Sequence, residues 1–164
     1  MKLSRLIYKS TATAEVISNR TLRDIEEQAS AANTEKGITG LLVLTGNIFL
    51  QVLEGSSGDV TALIGNIIAD KRHHDVELLT FQPIGVRCFD EWSMRSVDLY
   101  DLPGDRRALM AAKYGGTDGV IAIPDDEHLV HAFLLDAQFV CSSTPWKLTD
   151  GSDESAPSAG SSSR

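Results

Sequence analysis

Tyr8, Asn33, Gln51 and Met94 place a phenol, two primary amides and a thioether at positions where a plain core would prefer aliphatics. A phenol donates one hydrogen bond, an amide has a donor end and an acceptor end, and a thioether is a weak acceptor. Gln51 stands in the stretch GNIFLQVLEG, residues 46–55, among Ile48, Phe49, Leu50, Val52 and Leu53. In a strand, Ile48, Leu50 and Val52 share one face and Phe49, Gln51 and Leu53 the other. Both faces are apolar. An unpartnered amide there would cost roughly 1–3 kcal/mol, so Gln51 must bond either protein or ligand. Singly, each group has an ordinary structural explanation: Tyr8 as a core tyrosine with its hydroxyl at the edge, Asn33 as a helix C-terminal residue, Gln51 as an amide bonding backbone, Trp92 as a packing anchor. Gathered around one apolar cleft, with the Trp92-Ser93-Met94 run beside them, they suit a planar heterocycle with hydrogen-bonding edges. The basic run Lys71-Arg72-His73-His74 would suit an anionic appendage such as a phosphate, or simply a helix end whose dipole favours cations.

The elements that must position these groups follow from periodicity. A first strand is expected over about residues 3–10, then a helix over about 21–36 that opens on an approximate Thr21/Asp24 capping box. Leu22, Ile25, Ala29 and Ala32 form its inward stripe, Asn33 lies on that face near the end, and Gly37 stops it. Strands at 38–44 and 48–54 flank the turn Thr45-Gly46-Asn47 and read as a hairpin. A helix begins at Ser57 and runs to about Asp70 with Val60, Leu63, Ile64, Ile67 and Ile68 apolar. Strands at 76–82 and 92–99 complete the order βαββαβ plus a fifth strand, an α+β, ferredoxin-like plan with two helices on one sheet face. First and third strands are central neighbours in that plan, which would let Tyr8 and Gln51 meet beneath the helices. Helices at 103–115 and 125–140, the latter with Leu129, Phe133, Leu134 and Val140, form a pair to cover the other face. Residues 1–100, 101–141 and 142–164 thus read as an α+β domain, a helical extension and a disordered low-complexity tail.

Composition bounds the function. The chain has 164 residues, 42% hydrophobic and 23% charged, enough for one domain with a real core. A net charge of −8 with scattered Lys and Arg argues against nucleic acid. No apolar run has the length of a membrane span and the N-terminus carries no h-region, so a cytoplasmic protein with no membrane partner is expected. Cys88 and Cys141 make no metal-ligand pattern. His128 and His131 are spaced i, i+3 without further ligands and read as a solvated helix face. Rossmann, P-loop, nucleophile-elbow and zincin motifs are missing, and the Gly55–Gly58 run GSSG reads as a strand-to-helix connection.

RLIYKS (5–10), Asn33 with GITGLL (37–42), FLQVLEG (49–55), DKRHHD (70–75) and WSM (92–94) together resemble the BLUF domain, the blue-light sensor using FAD, over about residues 2–99. AKYGG (112–116) and HLVHAFLLD (128–136) resemble the two-helix extension of its short, stand-alone PixD-like members. The resemblance implies non-covalent FAD, with Tyr8 giving an electron and a proton toward photoexcited flavin and Gln51 as the amide between that phenol and the flavin edge. It implies that Asn33 holds the ring's carbonyl and NH edge, that Arg72, His73 and Asp70 lie near the flavin and its side chain with Ile25 also lining the site, and that Trp92 and Met94 belong to the segment that responds when Gln51 rearranges. Ala32 departs from the polar or aromatic residue common there. Also implied are homo-oligomers and a separate downstream signalling protein, response-regulator-like or enzymatic. With about 65 residues after Leu99, no fused enzyme is expected. The alternatives are a light-insensitive ferredoxin-like module that binds a ligand or protein, against which Tyr8 and Gln51 count, and an acylphosphatase-type enzyme, whose phosphate loop is missing after the first strand.

Overall fold

The computed structural model describes residues 2–17 and 19–142, so the expected tail lies, Ser142 apart, outside the described residues. Strand β1 (Leu3–Ala12) leads through a 3-10 turn (Ala14–Ile17) to helix α1 (Asn19–Lys36). The hairpin β2 (Thr39–Thr45) and β3 (Ile48–Ser56) follows, then α2 (Ser57–Ala69), β4 (His73–Pro83), β5 (Arg95–Asp98), α3 (Gly104–Tyr114) and α4 (Glu127–Ser142). The sheet order is β4-β1-β3-β2-β5. All pairs are antiparallel except β2–β5, so the first and third strands are the central neighbours that the ferredoxin-like plan requires. Gly37 and Gly46 take left-handed φ values of 65° and 61° at the end of α1 and in the hairpin turn, which a side chain would resist.

Strand alternation divides the core in two. Leu6, Tyr8, Leu42, Phe49, Leu53 and Met94 pack toward α1 and α2. Ile7, Leu41, Val43, Leu50 and Val52 point the other way and are covered by Leu102, Met110, Val130, Phe133, Leu134 and Val140 of the C-terminal region. The helical pair therefore covers the second face, although Leu129, expected in its apolar stripe, is 54% exposed.

Two boundaries, the starts of α1 and β5, differ from expectation for identifiable reasons. Helix α1 begins at Asn19, and the Thr21 hydroxyl bonds back to the Glu15 carbonyl (3.4 Å) rather than capping it. Helix α2 starts at Ser57 as expected, and Ser56 caps it, its Oγ accepting from the Asp59 amide (3.2 Å). Strand β5 starts at Arg95, because the Ser93 and Met94 carbonyls turn to α1, accepting from Asn33 Nδ2 (2.9 Å) and Ser30 Oγ (3.0 Å).

Alternation also places Arg5 and Glu54 opposite each other on the far face of β1 and β3. Arg5 Nε donates to Glu54 Oε1 (3.1 Å), and the Cys88 and Phe89 amides donate to the same carboxylate (2.9 and 3.0 Å). Arg87 adds bonds to the Glu54 carbonyl (2.8 Å), Thr39 Oγ1 (2.9 Å) and the Gly37 carbonyl (2.7 Å). A fully buried carboxylate thus fixes the chain that leads into β5. Removing one partner of a buried, hydrogen-bonded pair strands the other. Glu54→Leu is expected to lower stability by about 3–5 kcal/mol in urea unfolding, and Arg5→Met in the same chain to restore part of the loss.

Candidate functional site

Tyr8 and Gln51 are direct partners in the β1–β3 register and share the face beneath α1 and α2. Tyr8 Oη donates to Gln51 Oε1, and Gln51 Nε2 donates to Met94 Sδ (3.4 Å). The chemistry of the neighbours sets the amide's orientation. A thioether has no proton to give, so reversing the amide would point its oxygen at a group that cannot donate. The buried glutamine is therefore bonded at both ends, with one Nε2 proton left for the cleft.

Burial, reinforced by the negative charge of Asp70, pushes the Tyr8 phenol well above its ordinary value of 10.0. The phenol is accordingly neutral and remains a hydrogen-bond donor throughout the physiological range.

Asn33, 2% exposed, donates from Nδ2 to the Ser93 carbonyl (2.9 Å). A carbonyl only accepts, so the amide nitrogen must face it, and Oδ1 stays available as an acceptor at the cleft wall. At the mouth, Arg72 grips Asp70 through Nε (3.0 Å) and Nη2 (2.6 Å). That hydrogen bonding, more than charge alone, holds the Asp70 carboxyl below the usual range and raises the guanidinium. Arg72 Nη1 also reaches Gln28 Oε1 (3.5 Å). His73 is the first residue of β4; its Nε2 meets the Ile67 carbonyl (2.5 Å) and its Nδ1 the Ser10 hydroxyl (2.7 Å). The carbonyl requires the proton on Nε2, leaving Nδ1 to accept from Ser10.

These groups surround a cleft of about 250 Å³ lined by Tyr8, Ile25, Asn33, Gln51, Asp70, Arg72, His73 and Met94, with Ala29, Ala32, Leu42, Phe49, Leu63 and Ile67 as apolar walls. Trp92, expected with them, is elsewhere. It packs against the far-face core with the Arg95 guanidinium 4.9 Å from its ring centroid. Residues 92–94 are not strand, so the pair Trp92 and Met94, two apart, is not held on one face. Nor does the basic run act as a unit: Lys71 and His74 are exposed, and both ring nitrogens of His73 are engaged within the protein. Gln28 and Asn66 line the cleft without a signal in the sequence, whereas Ser10, which braces His73, lies two residues after Tyr8 and shares its face by alternation.

Two helices over a sheet, apolar walls, and convergent amide and phenol groups at the floor define a binding domain for a flat, hydrogen-bonding heteroaromatic group. The family comparison agrees: the model of BLUF, sensors of blue light using FAD, matches residues 3–95, and the chain belongs to that family. Over 95 residues it is 34% identical to photoactivated adenylate cyclase subunit alpha of Euglena gracilis, matching 57% of this chain and 9% of that protein. Over 100 residues it is 31% identical to the blue light- and temperature-regulated antirepressor BluF of Escherichia coli K12, matching 59% and 24%. The chain thus spans about a tenth to a quarter of the length of these curated relatives. Among solved structures it resembles BlsA in its photo-activated state (TM-score 0.69, 26% identity, 84% of this chain and 94% of that one) and BlrB in its dark state (0.62, 27%, 86% and 97%).

The family's cofactor is FAD, and the donor set suits a flavin ring: Asn33 Oδ1 and the remaining Gln51 proton offer an acceptor and a donor to its polar edge. The cleft lies just below the range of about 300–1,000 Å³ usual for small-ligand sites. That volume suits a ring system of this kind.

The raised phenol gives a signed pH dependence. Tyr8 binds its proton more tightly folded than unfolded, so its contribution to stability is complete below pH 10.0 and declines as pH rises above it. Urea unfolding below and above that pH is expected to show the parent losing more stability than Tyr8→Phe.

Proposed function

We propose that this protein is a cytoplasmic blue-light photoreceptor that binds FAD non-covalently and signals through contact with a separate protein. The observation that carries the reading is the chain Tyr8–Gln51–Met94, in which a neutral phenol, a two-ended amide and a proton-less acceptor meet at the cleft floor. Bound FAD supplies the absorption of blue light and, once excited, an acceptor for an electron. Tyr8 would give that electron, its Oη proton leaving along the bond to Gln51 Oε1, and both would return to Tyr8 so that no net oxidation remains. Gln51 then reverses or tautomerises, which exchanges donor and acceptor ends without moving backbone. Asn33 holds the ring's polar edge, Asp70 orients Arg72 toward the side chain of the cofactor, His73 braces α2 against β1 from behind, and Ile25 forms wall.

On reversal of the amide the Met94 contact is lost, because sulfur cannot donate to an oxygen. Met94 immediately precedes β5, which continues through the 3-10 turn Leu99–Asp101 to α3. The output is a biased two-state element made of this segment and the C-terminal helices. No helix among the described residues is long and apolar enough to cross a membrane. The chain itself performs no catalysis. It works as a homo-oligomer and acts on a separate response-regulator-like or enzymatic partner; relatives named as photoactivated adenylate cyclase subunits and as an antirepressor support the downstream partner.

The test is an absorption spectrum of the FAD-bound protein before and after blue light, followed through dark recovery. A slight red shift that reverses unaided is expected, and Tyr8→Phe and Gln51→Leu should keep yellow flavin yet lose the shift. A normal photocycle in either variant overturns the assigned roles, and a parent that refuses FAD overturns the function.

A further inference from the structure

Strand β5 has only four residues, pairs in parallel with β2 alone, and forms one edge of the sheet. Such a strand has little ladder to set its position. A seam of side chains from α1 adds what the ladder lacks. Glu26 Oε2 accepts from the Ser96 amide (2.8 Å) and lies 2.8 Å from the Ser96 hydroxyl. Ser30 Oγ donates to the Met94 carbonyl, and Asn33 Nδ2 to the Ser93 carbonyl. The order of contacts is reversed along the two chains: Glu26, Ser30 and Asn33 of the helix meet residues 96, 94 and 93. Helix and segment therefore run in opposite directions, with Met94 held between two clamps.

We propose that Glu26 is a positioning residue for the switch: its carboxylate grips the Ser96 amide and fixes the segment so that Met94 Sδ stands against Gln51 Nε2. The inference rests on the photoreceptor reading above. Of the seam's donors and acceptors Glu26 alone takes a backbone N–H of β5, and it is a carboxylate, the acceptor type that makes the stronger bond. Its neighbours on the seam act on the Met94 and Ser93 carbonyls, two and three residues away, and leave the strand free to shift lengthwise when Glu26 is removed. With Met94 in place, the amide orientation observed here is favoured over its reverse. With the segment loosened, the reverse orientation loses its penalty, and return from the lit state slows.

Two measurements on the full chain test this. In the flavin-free protein, Glu26→Ala should speed hydrogen exchange of the Ser96 amide about tenfold, while the β1 and β3 amides stay as in the parent. In the FAD-bound protein the same variant should bind flavin fully and recover in the dark about tenfold more slowly, a change equivalent to ~1.4 kcal/mol. Glu26→Gln retains an acceptor oxygen and should restore both values to near the parent's. Should Glu26→Ala not fold, Ser96→Ala removes the hydroxyl from the same oxygen, and a slowing of about threefold is expected. Parent-like exchange and recovery in Glu26→Ala, or in Ser96→Ala where that variant serves, overturn the inference alone. A parent with no light-induced shift overturns the photoreceptor reading and this inference with it.

Discussion

The register between β1 and β3 is the constraint on which the site depends. Tyr8 faces Gln51 across the pair, and the same register sends Ile7 and Val52 to the opposite core and sets Arg5 against Glu54. A slip by one residue would invert every one of these placements, presenting the phenol to α3 and α4 and burying an arginine under α1. The apolar faces therefore protect the polar pair: the hydrophobic pattern on both sides of the strands allows only the alignment in which phenol and amide meet.

Within that frame, the cleft joins rigid and adaptable parts. Its rear wall is braced by hydrogen bonds internal to the protein, Ser10 to His73 to the Ile67 carbonyl, and its mouth by the two-point grip of Arg72 on Asp70. The floor differs. Gln51 has one strong partner in the Tyr8 hydroxyl and one weak one in the Met94 sulfur, so the two orientations of the amide differ by modest hydrogen-bond preferences rather than by a packing clash. Such a group is poised to respond to a change at its neighbour.

Much of this was legible in the residues. Two short apolar runs about the Gly46 turn specified the β2–β3 hairpin, and the apolar stripes of both covering helices identified the faces that pack on the sheet. The amide within an apolar strand pointed to the cleft, because a buried donor–acceptor group demands partners whatever the fold. Other features depended on distant segments and could not be read locally. Trp92 and Met94 look equivalent at spacing two, yet the tertiary bonds of Asn33 and Ser30 to carbonyls 93 and 94 end the strand and separate them. Lys71-Arg72-His73-His74 reads as one basic cluster, whereas the start of β4 at His73 turns its members in different directions. The Arg5–Glu54 pair joins positions 49 residues apart, and charges within strands give no local signal of such a partner.

The sheet order also bears on the making of the protein. The first strand to emerge occupies a central position between β3 and β4, whereas the β2–β3 hairpin is local and β5 comes last at an edge. The hairpin can form early, but Tyr8 acquires both neighbouring strands only after residues near 83 have been synthesised, and the cleft gains Met94 later still. A nascent chain therefore has no floor for a flavin until almost the whole sheet exists, which confines cofactor capture to the end of synthesis of this region and makes it sensitive to any truncation before β5.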